Sequence, residues 1–107
     1  MSTAIAKTEV GDLFKTVAER DVERALVERV QAAGGQAYKF TSPGRRGVPD
    51  RIVLLPGRVP EFVELKRKGA KPRPEQLREH ARIRAAGGVV HIVDCAAGIE
   101  KLMGAAL

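Results

Sequence analysis

Gly47-Val-Pro-Asp50-Arg-Ile-Val-Leu-Leu55-Pro-Gly-Arg-Val-Pro60-Glu-Phe-Val-Glu64-Leu-Lys66 is the stretch that decides how this chain folds. It holds two apolar β-type runs, Arg51 to Leu55 and Glu61 to Lys66, separated by a Pro56–Pro60 turn. Three charged residues, Asp50, Glu64 and Lys66, stand where an ordinary strand carries Val or Thr. Alternation along a strand points Phe62, Glu64 and Lys66 to one face and Val63 and Leu65 to the other. The strand rise separates Glu64 from Lys66 by roughly 7 Å. If the two runs form a hairpin whose turn absorbs about five residues, Asp50 lies beside residues 64–66. Two carboxylates and an ammonium then share one end of a small sheet.

Two carboxylates held close repel, and one of them takes up a proton unless a cation intervenes. Oxygen donors alone select a hard ion, Mg²⁺ or Mn²⁺, rather than zinc. Such an ion neutralises charge on a scissile phosphate and acidifies a coordinated water. Lys66 is suited to orient that water or to stabilise developing negative charge. The constellation therefore reads as a metal-dependent phosphodiesterase site.

The rest of the chain supplies a scaffold for it. Residues 1–10 show no period and read as a frayed tail. Helical periodicity is clear from Asp21, with Val22, Ala25, Leu26, Val30 and Ala33 in one stripe ended by Gly34-Gly35. The helix starts at Asp21 or runs unbroken from Asp12; the sequence leaves both open. Gln36 to Phe40 reads as a first strand and Thr41 to Gly47 as a loop. Arg51–Leu55 and Glu61–Lys66 are the second and third strands, and Arg67–Arg73 is a basic loop. A helix from Pro74 to Ala86 is expected to bury Leu77, Ala81 and Ala85. Val89–Val93 forms a fourth strand, and Gly98–Ala106 a last helix burying Ile99, Leu102 and Met103. The first three strands fit a meander, and the third and fourth flank a helix, which implies a right-handed parallel crossover. The expected class is α/β, a four-stranded mixed sheet flanked by helices.

Charge and composition narrow the partners. The 107 residues carry a formal net charge of +6. Between residues 39 and 84 there are 13 Lys+Arg against 5 Asp+Glu, while each flank is slightly acidic. The positive charge thus surrounds the site stretch, an electrostatic footprint for a polyanion. One cysteine, Cys95, excludes an internal disulfide. No apolar run approaches a membrane span, and no signal-peptide pattern opens the chain, so a cytoplasmic protein without a membrane partner is expected. His80 and His91 stand singly and read as surface or strand-packing residues, and Ser42 lacks a partner base.

Pro49-Asp50 followed by Glu64-Leu65-Lys66 resembles the motif of the PD-(D/E)XK nuclease superfamily. The string Lys39-Phe40-Thr-Ser-Pro-Gly-Arg-Arg-Gly-Val-Pro-Asp50, with Phe62-Val-Glu-Leu-Lys66 and Gln76, is similar more narrowly to the VRR-NUC domain, found alone in phages and bacteria. The Ser42–Asp50 string is the specific part; Asp…Glu-X-Lys alone recurs by chance. The resemblance implies a restriction-endonuclease-like αβββαβ core over residues 21–107, with residues 1–20 as an N-terminal extension, partly helical or disordered. It implies Asp50 and Glu64 as metal ligands, the Leu65 backbone carbonyl as a third, and Lys66 as the catalytic lysine. Gln76 would steady the site, and Glu23 would reach the metal from the first helix. Arg45, Arg46, Lys68, Lys71 and Arg73 are the expected nucleic-acid contacts. The function implied is a Mg²⁺- or Mn²⁺-dependent DNA endonuclease, selective for branched DNA in the manner of a Holliday-junction resolvase and acting as a homodimer. A non-catalytic nucleic-acid-binding module and a nuclease for flap DNA or RNA are the alternatives. Arg73, where a small capping residue is usual before Pro74, departs from the family pattern.

Overall fold

The computed structural model describes residues 10–104, with side chains from Glu19 onward. The tail expected at residues 1–10 lies, apart from Val10, outside them. Seven elements follow in order: α1 (Val10–Ala32), β1 (Gln36–Lys39), β2 (Arg51–Leu54), β3 (Glu61–Leu65), α2 (Pro74–Ala85), β4 (Val90–Val93) and α3 (Ala96–Met103). The first helix runs through Asp21 without a break, which decides between the two starts left open by the sequence. Gly34, at φ +86°, then takes the left-handed turn that lets the chain leave the helix. The last helix begins two residues earlier than Gly98, because Ala96 and Ala97 are strong helix formers. It ends at Met103, short of the expected Ala106, because Gly104 at φ +85° takes the left-handed cap.

The sheet order is β1-β2-β3-β4, antiparallel except for the parallel β3–β4 pair. Helix α2 supplies the crossover between β3 and β4. Val53, Val63, Leu65 and Val93 point to one face, where Leu26 and Val30 of α1 and Ile99 and Leu102 of α3 close over them. These side chains are 0–3% exposed. Burying each aliphatic group fully is worth about 1.5–3 kcal/mol, and this layer is the only continuous apolar core among the described residues.

Helix α2 corrects the sequence expectation. Leu77 is 49% exposed and Ala81 and Ala85 are exposed, while Gln76, Glu79 and His80 are buried. The Leu77–Ala81–Ala85 spacing is a genuine helical stripe, but it is weak, and the opposite face has stronger polar partners in the sheet and in the loop before β2. Helix α2 is thus held over the second face of the sheet by hydrogen bonds and ion pairs, and that face is where Glu64 projects.

The loop before β2 packs on the first turn of α2. Gly47 has φ +81°, and a Cβ there would stand 2.8 Å from the Glu75 carbonyl oxygen. Both conditions require glycine. Gly47→Ala is expected to lower stability by roughly 1–3 kcal/mol, toward the upper end because the obstructing atom is backbone. Urea unfolding of the variant checks this.

Candidate active site

The β2–β3 register pairs Arg51 with Val63 and Val53 with Glu61. Continued by one residue, it sets Asp50 opposite Glu64, at the end of the hairpin away from its turn. Asp50 leaves the loop after buried Pro49, and its Oδ2 accepts a 2.7 Å hydrogen bond from the Leu65 backbone N–H. That bond ties the carboxylate to the end of β3. The next amide, Lys66 N–H, donates to the Val93 carbonyl at 3.0 Å, so β4 fixes the strand end on its other side.

Glu64 is 2% exposed, an unusual position for a carboxylate. Its Oε2 accepts from Gln76 Nε2 at 3.0 Å and lies 3.4 Å from Lys66 Nζ. Its Oε1 is buried without a hydrogen-bond partner and faces His80 Nε2 at 3.5 Å. Burial pushes the Glu64 pKa from 4.5 up to about 7; Asp50 adds to the rise and Lys66 opposes it. Desolvation outweighs the single nearby ammonium, so the acidic pair is under-compensated by this chain's own cations.

Gln76 is fixed at both ends of its amide. Its Oε1 accepts from the Arg73 backbone N–H at 2.8 Å, capping α2, which leaves Nε2 to face Glu64. The cap that Arg73 cannot provide from its own side chain is thereby supplied by Gln76 reaching back. One side chain starts the helix and orients the carboxylate.

The donor set fits a hard cation. Asp50, the free Oε1 of Glu64 and the Leu65 carbonyl offer oxygen alone, and an orphaned buried carboxylate oxygen is a position that a cation would satisfy. Among the described residues, no three or more His, Cys, Asp or Glu side chains gather as a metal cluster. An ion here would rest on two carboxylates and a carbonyl and keep several waters, as Mg²⁺ characteristically does.

Other expected site residues are engaged elsewhere. Glu23 Oε2 accepts from Arg51 Nε at 3.0 Å and Nη2 at 2.7 Å. Arg51 also donates to the Ala37 carbonyl. Arg51 points toward α1, with Val53 and Val63, so Glu23 approaches the hairpin from the core side and meets Arg51 beside Asp50. Arg45 pairs with buried Glu79 at 3.2 Å and Arg73 with Glu75 at 3.3 Å. Arg45, Arg46, Lys68, Lys71 and Arg73 are all exposed. The basic loop carrying Lys68 and Lys71 is tethered by Gly69 N–H to Asp94 Oδ2 at 3.0 Å. That bond, with a smaller contribution from Cys95, holds the half-exposed Asp94 carboxyl below its usual range.

Two features were hidden from the sequence. His80 is neither at the surface nor in a strand: it is 0% exposed and lies beside Glu64. The only available signal was its spacing, one helical turn after Gln76. Glu61, at the start of β3, is 4% exposed and paired with Arg58 through two 2.9 Å bonds and with His91 at 2.6 Å. Arg58 also reaches the Leu102 carbonyl. This group braces the turn against α3 at the far end of the sheet from Asp50.

Comparison with known proteins shows the family of the chain. No protein-family model matches the chain. It is 54% identical over 81 residues to "Putative nuclease p44" of Acyrthosiphon pisum secondary endosymbiont phage 1, covering 76% of this chain and 87% of that protein. Its structure is similar to a solved structure described as a VRR_NUC domain, with a TM-score of 0.75 and 41% identity. That match covers 81% of this chain and 95% of the solved one. The fold is restriction-endonuclease-like. With this identity and coverage, and with the Ser42–Asp50 loop and the Glu64-Leu65-Lys66 strand end in one site, the chain belongs to the VRR-NUC family.

Proposed function

We propose that this protein is a Mg²⁺- or Mn²⁺-dependent DNA endonuclease that hydrolyses phosphodiester bonds at the Asp50–Glu64–Lys66 site. One observation carries the reading: a buried Glu64 with an unpartnered oxygen lies across the hairpin from Asp50, with an ammonium 3.4 Å away. Asp50, Glu64 and the Leu65 carbonyl would hold the ion, which when bound neutralises phosphate charge and acidifies water.

The chain's own groups do the remaining work. Lys66, whose side chain is 13% exposed, keeps a localised positive charge at the rim of the site. There it can hold a non-bridging phosphate oxygen or orient the attacking water as negative charge develops. Gln76 prevents Glu64 from rotating. Glu23 supports the site through Arg51, adjacent to Asp50, as a third acidic residue beside Asp50 and Glu64. The exposed Arg46, Lys68 and Lys71, with Arg45 and Arg73 at the margin, would contact phosphates along the substrate and fix its register without reading sequence. Their contribution makes affinity fall steeply with salt.

Branched DNA is the proposed substrate, with two copies of the chain cutting two strands symmetrically as in Holliday-junction resolution. A panel of end-labelled linear, nicked, flapped and four-way DNA, beside RNA, tests the selectivity, with sedimentation to read the oligomeric state. Preferential paired cutting of the four-way substrate by a dimer is expected. Equal cutting of linear duplex by a monomer would reject the branched-substrate reading. No cutting of any form with either ion would reject the enzyme.

A further inference from the structure

Among the described residues, three buried side-chain polar atoms have no hydrogen-bond partner: Glu64 Oε1, His80 Nδ1 and His80 Nε2. They are adjacent, with Nε2 3.5 Å from Oε1. Leaving a buried polar atom unsatisfied costs about 1–3 kcal/mol, so a packing role alone would favour leucine or phenylalanine over imidazole at position 80. His80 lies one helical turn after Gln76, on the same buried side of α2.

We infer that His80 is a positioning residue for this site: its Nε2–H donates to Glu64 Oε1 and sets that carboxylate in the orientation that takes the divalent ion. The inference rests on the reading of Glu64 as a metal ligand. An imidazole facing a carboxylate keeps its proton on the facing nitrogen, and a side-chain rotation of roughly half an ångström brings the pair within hydrogen-bond range. Gln76 then holds Oε2 and His80 holds Oε1, two donors from successive turns of one helix. Each carboxylate oxygen has two lone pairs, so one stays free for the ion after each donor is satisfied. Partners of this kind, which orient a ligand without touching the metal, change metal affinity about 10–100-fold when removed.

The test uses Mn²⁺ binding by calorimetry, beside the Mg²⁺ concentration giving half-maximal cleavage, on His80→Gln, His80→Asn and His80→Leu. Glutamine places its amide nitrogen near the position of Nε2, whereas asparagine places it near Nδ1. Binding about tenfold weaker is expected for His80→Leu and His80→Asn, with an equal shift in Mg²⁺ demand, and near-native binding for His80→Gln. Native binding by the leucine or asparagine variant, or glutamine as weak as asparagine, would overturn the inference. If the leucine variant fails to fold, the two amide variants decide the matter. Glu64→Gln is the control: native Mn²⁺ binding there defeats the ligand reading itself. Lost binding there together with native binding in every His80 variant defeats only the role of His80.

Discussion

Lys66→Ala is expected to slow phosphodiester cleavage by about 10²–10³-fold at saturating Mg²⁺, the usual effect of deleting one electrostatic donor from a transition-state site. The physical basis is position. Lys66 is the first residue past β3, its amide is fixed to Val93, and its ammonium lies 3.4 Å from Glu64 Oε2. No other amine or guanidinium makes an ion pair with Glu64 among the described residues. A second consequence separates this lysine from an ordinary phosphate contact. Lys66 opposes the rise of the Glu64 pKa, so its removal drives that pKa further up and keeps the carboxylate protonated to higher pH. The variant should therefore need more Mg²⁺ than the wild type at pH 7 and lose that extra demand by pH 9. The deficit in saturated rate should persist at both. Single-turnover kinetics over Mg²⁺ concentration at the two pH values read both effects. Lys66→Arg should restore little of the rate, because a planar guanidinium cannot place a compact charge in the same space.

Glu64→Gln should abolish cleavage and, without metal, make the protein more stable above neutral pH. The sign follows from the raised pKa. In the unfolded chain Glu64 titrates near 4.5, and in the folded chain near 7. Below pH 4.5 both states are protonated and the side chain makes no pH-dependent contribution. From 4.5 to 7 the folded state holds the proton more tightly, so metal-free stability declines as pH rises. Above 7 the buried carboxylate is ionised and the full penalty, on the order of 3 kcal/mol, applies. Glutamine keeps the acceptor for Gln76 and Lys66 and carries no charge, so its unfolding free energy should lack this decline. Equilibrium denaturation at pH 4.5 and pH 8 in EDTA compares the two proteins directly. Mg²⁺ should then stabilise the wild type at pH 8, by mass action on the folded state, and leave Glu64→Gln unchanged. The site would thus reduce the stability of the metal-free fold and recover it when loaded.

The parts legible from sequence were those governed by local pattern. Period-two alternation with the Pro56–Pro60 break set the β2–β3 hairpin, and the register that follows places Asp50 opposite Glu64. Paired glycines at 34–35 and 87–88 marked helix ends, and the strand–helix–strand order forced the parallel β3–β4 pair. What stayed hidden depends on which partners a face meets. Leu77, Ala81 and Ala85 satisfy the helical period, yet the polar face with Gln76, Glu79 and His80 is buried because Glu64 and Arg45 wait on that side. Glu23 was recognisable as an acid bordering the core stripe. Its partner, Arg51, became evident only once β2 was laid against α1. Glu61 was legible only as the first residue of the third strand, and its burial with Arg58 and His91 became evident once β4 and α3 were in place.

Hydrolysis of DNA at Asp50, Glu64 and Lys66 with a divalent ion is the activity proposed for this site. It is tested most directly by cleavage of a labelled four-way junction by wild type and Asp50→Asn, each in Mg²⁺ and in EDTA. Asparagine keeps an oxygen for the Leu65 amide, so the fold should survive the change. Cutting by the wild type in Mg²⁺ alone, with the variant inactive in both, is the expected result. Cutting in EDTA, or Mg²⁺-dependent cutting by Asp50→Asn at the wild-type rate, would contradict it.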